Sequence, residues 1–583
     1  MKTITIILLL FCCFNYTFGQ TLNPVDGALS HDQTLILPFT ELILSQASSD
    51  CPLPNFVDHS NEPSNYFPGW VRQYGASCVQ VSEISWCLTY EINRLRNVSA
   101  GNWQYNDPNL FSYYYTYNFL CDNDGSKATS CLSGFNIVHE NGCPMLDSYY
   151  HPALEGSARF AYWMTGYDKH YQGKCNSING YNYISFPSSD YDSLSKLKHW
   201  LSDHNEGAGA SGGVAVIVVF FNNYHFEPIP NSNDVMLTSL GYDDGEPGHA
   251  LTVVGYNDTI SFDFNEDNFI TIDEDTNNDS VIDLRDREIG ALKIINGYPD
   301  FGNDGYAYLP YKFLPTEQMQ EHYAYVCHAE IRQFPEYEIK IAISHESRGN
   351  LTLAYNYAQD ANCITPPNNY YKLISSYVFQ GGEGIFMQGI NTDPLELALN
   401  FGTDYPDADF GKVFFRVNEV DSLDLYEGLI NSFSFMDYRW GETFEIECAQ
   451  KNIPIVKGTN VLSINYDLIP HHDDKIDSNL LLYSDMVSRF EPTVSNNATL
   501  TVSDISIDMY ESTIKIEDGS SLIIKDSATI HAKKGDCKII IDGDADFGEN
   551  ITFKADSAAS LLIVINKEDL TYTINNCTFI NSA

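Results

Sequence analysis

The sequence predicts an α+β domain followed by all-β domains, a β-sandwich and then a β-helix or solenoid. Three observations carry this reading. Between residues 66 and 328, stretches with helical periodicity come first and apolar β-branched runs follow. Between 331 and 475, short alternating strands are punctuated by Gly, Asn and Asp, the spacing of a sandwich. Between 495 and 583 the strands shorten further and alternate with Gly and Asp turns in a loose repeat, as in β-helix coils; a second sandwich is the alternative there.

The first segment lies outside any fold. Met1-Lys2-Thr3, an apolar run over 4–14 and Thr17-Phe18-Gly19 read as a secretory signal peptide over 1–19, cut after Gly19. That run is too short to span a bilayer, and no later segment has the character of a membrane span. The mature chain is therefore expected to be secreted, extracellular or at the cell surface. Residues 20–65, rich in Pro, Asn and Ser, read as an irregular lead-in.

Ser77 and Gln80 fit a capping box at the start of the first helix, and Ile84, Leu88, Ile92 and Leu95 recur at helical spacing to give it one buried face. Residues 132–143 read as a second helix closed by Asn141-Gly142, and 194–201 as a third. Residues 214–221 form an apolar, β-branched run typical of a buried strand; His249 opens another and 291–295 make a third. Strands are predicted over 337–343 and 412–417 in the sandwich, and over 512–516, 521–524 and 537–541 in the coils. The chain stops at Ser582-Ala583 without the polar cap a solenoid needs, so the natural protein is expected to continue.

Asp and Glu outnumber Lys and Arg by 78 to 32, a formal charge of −46. Nucleic acid is excluded as a partner by that balance, because phosphates need a basic surface. Abundant Tyr and Phe exclude a disordered chain. Of the 14 cysteines, Cys12 and Cys13 leave with the signal peptide. Export permits disulfides: Cys121, Cys131, Cys143 and Cys175 are the expected bridge-formers with open connectivity, and Cys363 with Cys448 in the sandwich.

Three residues carry chemistry. Cys78 ends Gln73-Tyr74-Gly75-Ala76-Ser77-Cys78 and opens a helix, where the positive end of the helix dipole suits an attacking sulfur anion. His249 lies in Gly248-His249-Ala250-Leu251-Thr252-Val253-Val254-Gly255-Tyr256, and Asn296 in Leu292-Lys293-Ile294-Ile295-Asn296-Gly297-Tyr298. In this order and these settings, residues 66–328 resemble the papain-like cysteine peptidases, as a divergent, bacterial, secreted branch. The resemblance implies that Cys78 is the nucleophile, His249 its base and Asn296 the residue that orients the imidazole. It also implies that Gln73, five residues before Cys78, helps bind the oxyanion. Tyr298 stands where it would shield the His–Asn bond, and 301–309 resemble the family's closing strand. The implied reaction is hydrolysis of polypeptides by an endopeptidase through a thioester on Cys78, with no cofactor in catalysis.

An acidic insertion, 260–288, separates His249 from Asn296. Asp263, Asn265, Asp267, Phe269, Thr271 and Glu274 place donors at loop positions one, three, five, seven, nine and twelve; position seven donates its carbonyl. Asp275, Asn277, Asp279, Val281, Asp283 and Asp286 repeat the pattern at once, and Ile270 and Ile282 stand at position eight of each loop. Alternate residues of a tight loop converge on one point, and calcium takes six to eight hard oxygens there. Structural calcium is the expected ion. The β-rich half carries no recognisable chemistry and is read as an anchor, a spacer or the seat of a surface or carbohydrate ligand. Two rival readings are a transglutaminase-like acyl transferase, which generally has Asp at the Asn296 place, and a surface adhesin with an inert peptidase-like domain.

Overall fold

The computed structural model describes residues 28–29, 37–101, 107–149, 158–187, 191–241, 248–360, 362–365, 372–373, 384–405, 410–420, 425–438, 444–467, 475–482, 486–488, 491–557, 559–566 and 578–581. The expected signal peptide, residues 20–27 and 30–36 of the lead-in and the last two residues lie outside them. The chain divides into two units: Met1–His139, Cys143–Trp163 and Asn176–Ile331 in one, Glu140–Gly142, Met164–Cys175 and Arg332–Ala583 in the other.

The first unit is built on a ten-stranded sheet. Its path runs Thr40–Glu41, Asn176–Ser185, Met319–Ile331, Ala215–Val219, His249–Ser261, Ile289–Ile295, Tyr306–Pro310, Val235–Gly241 and Asn222–Pro228, with Phe56–Asp58 paired to His249–Ser261. Ala215–Val219 is wholly buried, as its apolar β-branched run demands. The strand opened by His249 pairs antiparallel with it, Val219 opposite His249.

One continuous helix starts at Cys78. Its first turn, Cys78–Gln80, is α-helical; Val81–Leu88 is π-helical; Thr89–Arg96 returns to α. Asn97 ends it in the left-handed region at φ 52°. The π segment is buried on every side, Ser82, Glu83 and Ser85 included, so this is a central helix and not one with a single apolar face. Ile84, Leu88 and Ile92 are buried as predicted, but Leu95 is 45% exposed because the last turn emerges from the core with Arg94 and Arg96. The capping box does not form. Ser77 Oγ donates to the Tyr74 carbonyl at 3.0 Å, while Gln80 is buried between Thr129 Oγ1, 2.8 Å, and Ser133 Oγ, 3.3 Å. The second and third predicted helices are Ser133–Asn141, followed by Gly142 at φ 71°, and Tyr191–Asp203. The tyrosine-rich helix Tyr113–Leu120 was not anticipated.

The second unit holds two β architectures. Tyr337–His345, Leu395–Leu399, Gly428–Asp437, Phe444–Glu447 and Ile453–Pro454 form one antiparallel sheet. Leu351–Ala358, Lys372–Leu373, Phe410–Glu419 and Gly458–Asp467 form another. Phe415 and Phe433, one from each sheet, meet with ring centroids 5.6 Å apart, which makes this a sandwich. Beyond it, all pairing turns parallel. Leu500 stacks on Leu522, Ile507 on Ile530 and Cys537 on Leu561, strand upon strand. Each rung sends alternate residues such as Leu500, Val502, Ile507, Ile514, Leu522 and Ile539 into one core. The parallel register decides for the solenoid over the second sandwich.

None of the described cysteines, from Cys51 to Cys537, is in a disulfide. The expected bridges among Cys121, Cys131, Cys143 and Cys175, and between Cys363 and Cys448, are not formed. Their sulfurs meet backbone carbonyls instead: Cys121 the carbonyl of Phe160, Cys143 that of Pro144, Cys175 that of Gln172, Cys363 that of Thr365 and Cys448 that of Ser463. No helix among the described residues is long and apolar enough to cross a membrane.

Candidate active site

Cys78 begins the helix and is 1% exposed. That first turn packs against the strand His249–Ser261, and Thr252 Oγ1 reaches the Ser82 carbonyl of the same helix at 3.5 Å. His249 sits at the strand's first position because Ala250, Leu251, Val253 and Val254 behind it are fully suited to the core. Its neighbour Ile289–Ile295 brings Ile295 opposite Thr252, so Asn296 leaves the sheet beside the start of the histidine strand.

There His249 Nε2 and Asn296 Oδ1 lie 2.9 Å apart, both residues fully buried. The Tyr298 backbone N–H donates to the same Oδ1 at 3.1 Å. A backbone N–H can only donate, so the atom it faces must be the amide oxygen and not the nitrogen. Nε2 must then carry the hydrogen it shares with Oδ1, which fixes both the imidazole tautomer and the ring plane. The Tyr298 ring stands 4.6 Å from the His249 ring and Phe221 5.3 Å, so two aromatics cover the His–Asn bond.

Gln73 lies close by on the main chain. Its backbone N–H donates to the Gly297 carbonyl at 3.1 Å, and Trp70 Nε1 donates to the Asn296 carbonyl at 2.9 Å. These bonds fasten the segment before the nucleophile to the segment that holds Asn296. Gly297 is required there, since a Cβ would stand 2.6 Å from Gln73 Cβ. The Gln73 side-chain amide donates to the Gly75 carbonyl at 3.0 Å. Gly75, at φ 64°, makes the bend before Cys78; a side chain on it would run into the Gly125 carbonyl, which instead accepts from Ala76 N at 2.7 Å. Trp70 carried no sequence signal, and nothing in the sequence marked Phe221 or Gly297 as part of the site. Nor did Glu83, whose carboxyl lies five residues along the helix and accepts from Leu132 N and, at 3.1 Å, from Gly134 N. Burial pushes its pKa up to about 8, against the pull of those N–H donors.

The acidic insertion repeats itself in three dimensions. Asp263 accepts from Asp267 N at 3.1 Å and Asn268 N at 2.7 Å; Asp275 accepts from Asp279 N at 3.1 Å and Ser280 N at 2.9 Å. Asn268 and Ser280, at position six of each loop, both take the left-handed conformation at φ 70° and 71°, as do Glu266 and Asn278 before them. The twelfth positions differ. Asp286 is buried and accepts from Thr276 N, Asn277 N and Asp283 N, whereas Glu274 is exposed and Glu288 serves the first loop, accepting from Phe264 N at 2.8 Å and Thr271 N at 3.0 Å. Arg285 bridges Asp279 at 2.7 Å and Asp283 at 2.6 Å. Among the described residues no three His, Cys, Asp or Glu side chains converge as metal ligands.

No protein-family model matches the chain, and no curated protein does. Among solved structures, it is similar to proCathepsin B S9 from Trypanosoma congolense at 14% identity and TM-score 0.32, covering 52% of this chain and 87% of that one. It is similar to the Amb a 11 cysteine protease, a ragweed pollen allergen, in its proform, at 15% identity and TM-score 0.28, over 48% of this chain and 66% of that one. It is also similar to the Clostridial cysteine protease Cwp84 after propeptide cleavage, at 10% identity and TM-score 0.27, over 64% and 91%. The second and third are named as cysteine proteases and the first as a procathepsin B. At scores this low the likeness establishes neither fold nor activity, and the site stands on the geometry of His249, Asn296 and the helix that begins at Cys78.

Proposed function

We propose that the chain is a cysteine endopeptidase acting on polypeptides through Cys78, His249 and Asn296. The observation that carries this is the buried His249–Asn296 bond, locked by the Tyr298 N–H, on the strand that packs against the start of the Cys78 helix. Because Nε2 is committed to Asn296, Nδ1 is the nitrogen that serves the thiol. Cys78 Sγ attacks the scissile carbonyl and its proton passes to His249, which then protonates the leaving amine; water releases the acyl group from the thioester. The Cys78 backbone N–H, at the helix start, is the main oxyanion donor. The Gln73 amide joins it once it releases the Gly75 carbonyl. A thiol-directed epoxide should label the wild type and not Cys78→Ala, and a peptide-library digest should yield new N-termini with the wild type alone. Cross-linked products instead would support acyl transfer, and no labelling would leave the adhesin reading.

The insertion is proposed to hold structural calcium. The two loops have the same left-handed positions and the same carboxylate-to-amide turns twelve residues apart, a spacing that suits hard oxygen donors at regular intervals. Asp263, Asn265 and Asp267 would hold one ion, with Glu288 beside them in place of Glu274; Asp275, Asn277, Asp279, Asp283 and Asp286 would hold the other. Export from the cell is proposed from the leader sequence, and protein recovered from the medium should begin at Gln20. An anchoring or carbohydrate-binding role is assigned to the sandwich and solenoid, to be tested by glycan binding of the full chain.

A further inference from the structure

Cys87 and Cys327 are 240 positions apart in sequence, both 0% exposed, with their sulfurs 3.9 Å apart. Cys87 is the last residue but one of the buried π segment Val81–Leu88, midway along the helix that begins at Cys78. Cys327 lies in Met319–Ile331, which pairs with Ala215–Val219, the neighbour of the His249 strand. Cys87 directs its thiol at the Val214 carbonyl, 3.7 Å away, and Cys327 directs its thiol at the Cys87 sulfur. The two sulfurs need to close by roughly 1.9 Å to reach a covalent S–S length of about 2.0 Å, a shift within reach of small side-chain rotations.

We propose that Cys87 and Cys327 become a cystine under oxidising conditions, a covalent tie between the nucleophile's helix and the sheet. The oxidant is a small-molecule disulfide such as glutathione disulfide. One protein thiolate attacks it, forms a mixed disulfide and releases one reduced thiol. The second protein thiolate attacks the mixed disulfide at the protein sulfur and releases the other. The protein gives up two protons and two electrons, and the oxidant's S–S bond becomes two S–H groups.

The surroundings set when this happens. The hydrogen bond between the two sulfurs pulls the Cys87 thiol down and pushes the Cys327 thiol up, and burial with Glu91 and Glu83 nearby leaves both above the ordinary thiol range. In the folded state they are protonated, closed off and slow to exchange, since the thiolate is the attacking form. The bond therefore closes during folding, before the helix has packed onto the sheet, and resists reduction afterwards. This inference is independent of the peptidase reading.

The test uses the full chain carrying Cys78→Ala, which removes self-cleavage and one reactive thiol. The protein is unfolded and reduced, refolded with glutathione and glutathione disulfide, alkylated under denaturing conditions, digested and weighed. The expected result is a linked peptide pair containing Cys87 and Cys327, lighter by two hydrogens than the two peptides as thiols, with Cys121, Cys131 and Cys143 alkylated. Reduction under denaturing conditions followed by refolding without oxidant should lower the melting temperature by about 5 °C or more. Cys327→Ser should show the same lower value with or without oxidant, and its Cys87 should be alkylated in full. Recovery of both Cys87 and Cys327 as alkylated thiols from refolded protein, or a redox-dependent melting shift that survives in Cys327→Ser, would overturn the proposal.

Discussion

Asn296 acts through one atom. Its Oδ1 takes the His249 Nε2 hydrogen and the Tyr298 N–H together, so the imidazole is held from a point that the backbone fixes. Asn296→Ala should lower kcat by about 10²-fold with KM little changed, since what is lost is orientation of the base and not substrate contact. A change confined to KM would count against the assigned role. Glu83 supports a second prediction. Its folded pKa, about 8, lies above the ordinary 4.5, so its contribution to stability is full below about pH 4.5 and is lost as the pH climbs to about 8. Glu83→Gln removes the titration, but its amide nitrogen cannot accept, so one of the two backbone N–H groups that the carboxyl oxygens serve is left unpaired. Its melting temperature should lie below the wild type at pH 5, with the gap narrowing towards pH 9 as the wild type loses the Glu83 contribution; parallel curves would refute this. These two residues differ in how far the sequence announced them. Asn296 follows an apolar strand within a recognisable setting, whereas Glu83 sits in a helix among Ser and Ile, and nothing in one dimension shows that Leu132 and Gly134 will point their amides at it. The cysteines make the same point. A thiol's partner depends on which backbone carbonyl or sulfur folding brings near, and sequence proximity of Cys121, Cys131 and Cys143 was no guide to that.

Elements were legible where pattern and burial agree. Ala215–Val219 and the solenoid strands were readable because alternation or continuous apolarity maps directly onto a sheet face. Tyr113–Leu120 was hidden because tyrosines are strand formers by preference, and only packing of Tyr115 and Tyr117 into the core makes the helix worthwhile. The Cys78 helix was readable in place but not in kind, since no local pattern marks a π segment. The acidic insertion shows where a periodic sequence becomes a periodic structure. Arg285 now lies on Asp279 and Asp283, both of them expected ligands of the second loop. A guanidinium there competes with a cation for the same carboxylates. Chelator should lower the melting temperature and excess calcium restore it, and Arg285→Ala should tighten calcium binding in a calorimetric titration. No thermal response to chelator in either protein would remove calcium from the account.

At the scale of the whole molecule the dominant quantity is the charge of −46. More than half of the carboxylates have no Lys or Arg of their own to pair with. Lys198 with Asp258 and Lys293 with Asp58 are close pairs, but 32 cations cannot offset 78 anions. The excess repels itself in the compact state and is relieved on unfolding. Screening therefore favours the fold. At about 0.01 M salt the Debye length is about 30 Å and like charges interact across a whole unit; at about 0.1 M it is about 10 Å and only neighbours do. Raising NaCl from about 0.01 M to 0.3 M should lift the melting temperature by several degrees, with KCl giving the same curve. Calcium can be told apart from this general effect because its proposed action is local. At 0.3 M NaCl, where long-range repulsion is already screened, millimolar calcium should still raise the melting temperature, and Asp263→Ala with Asp275→Ala should abolish that rise while leaving the NaCl curve unchanged. If saturating NaCl erased the calcium response, the ion would be acting as a counter-charge and the loops would be solvated turns.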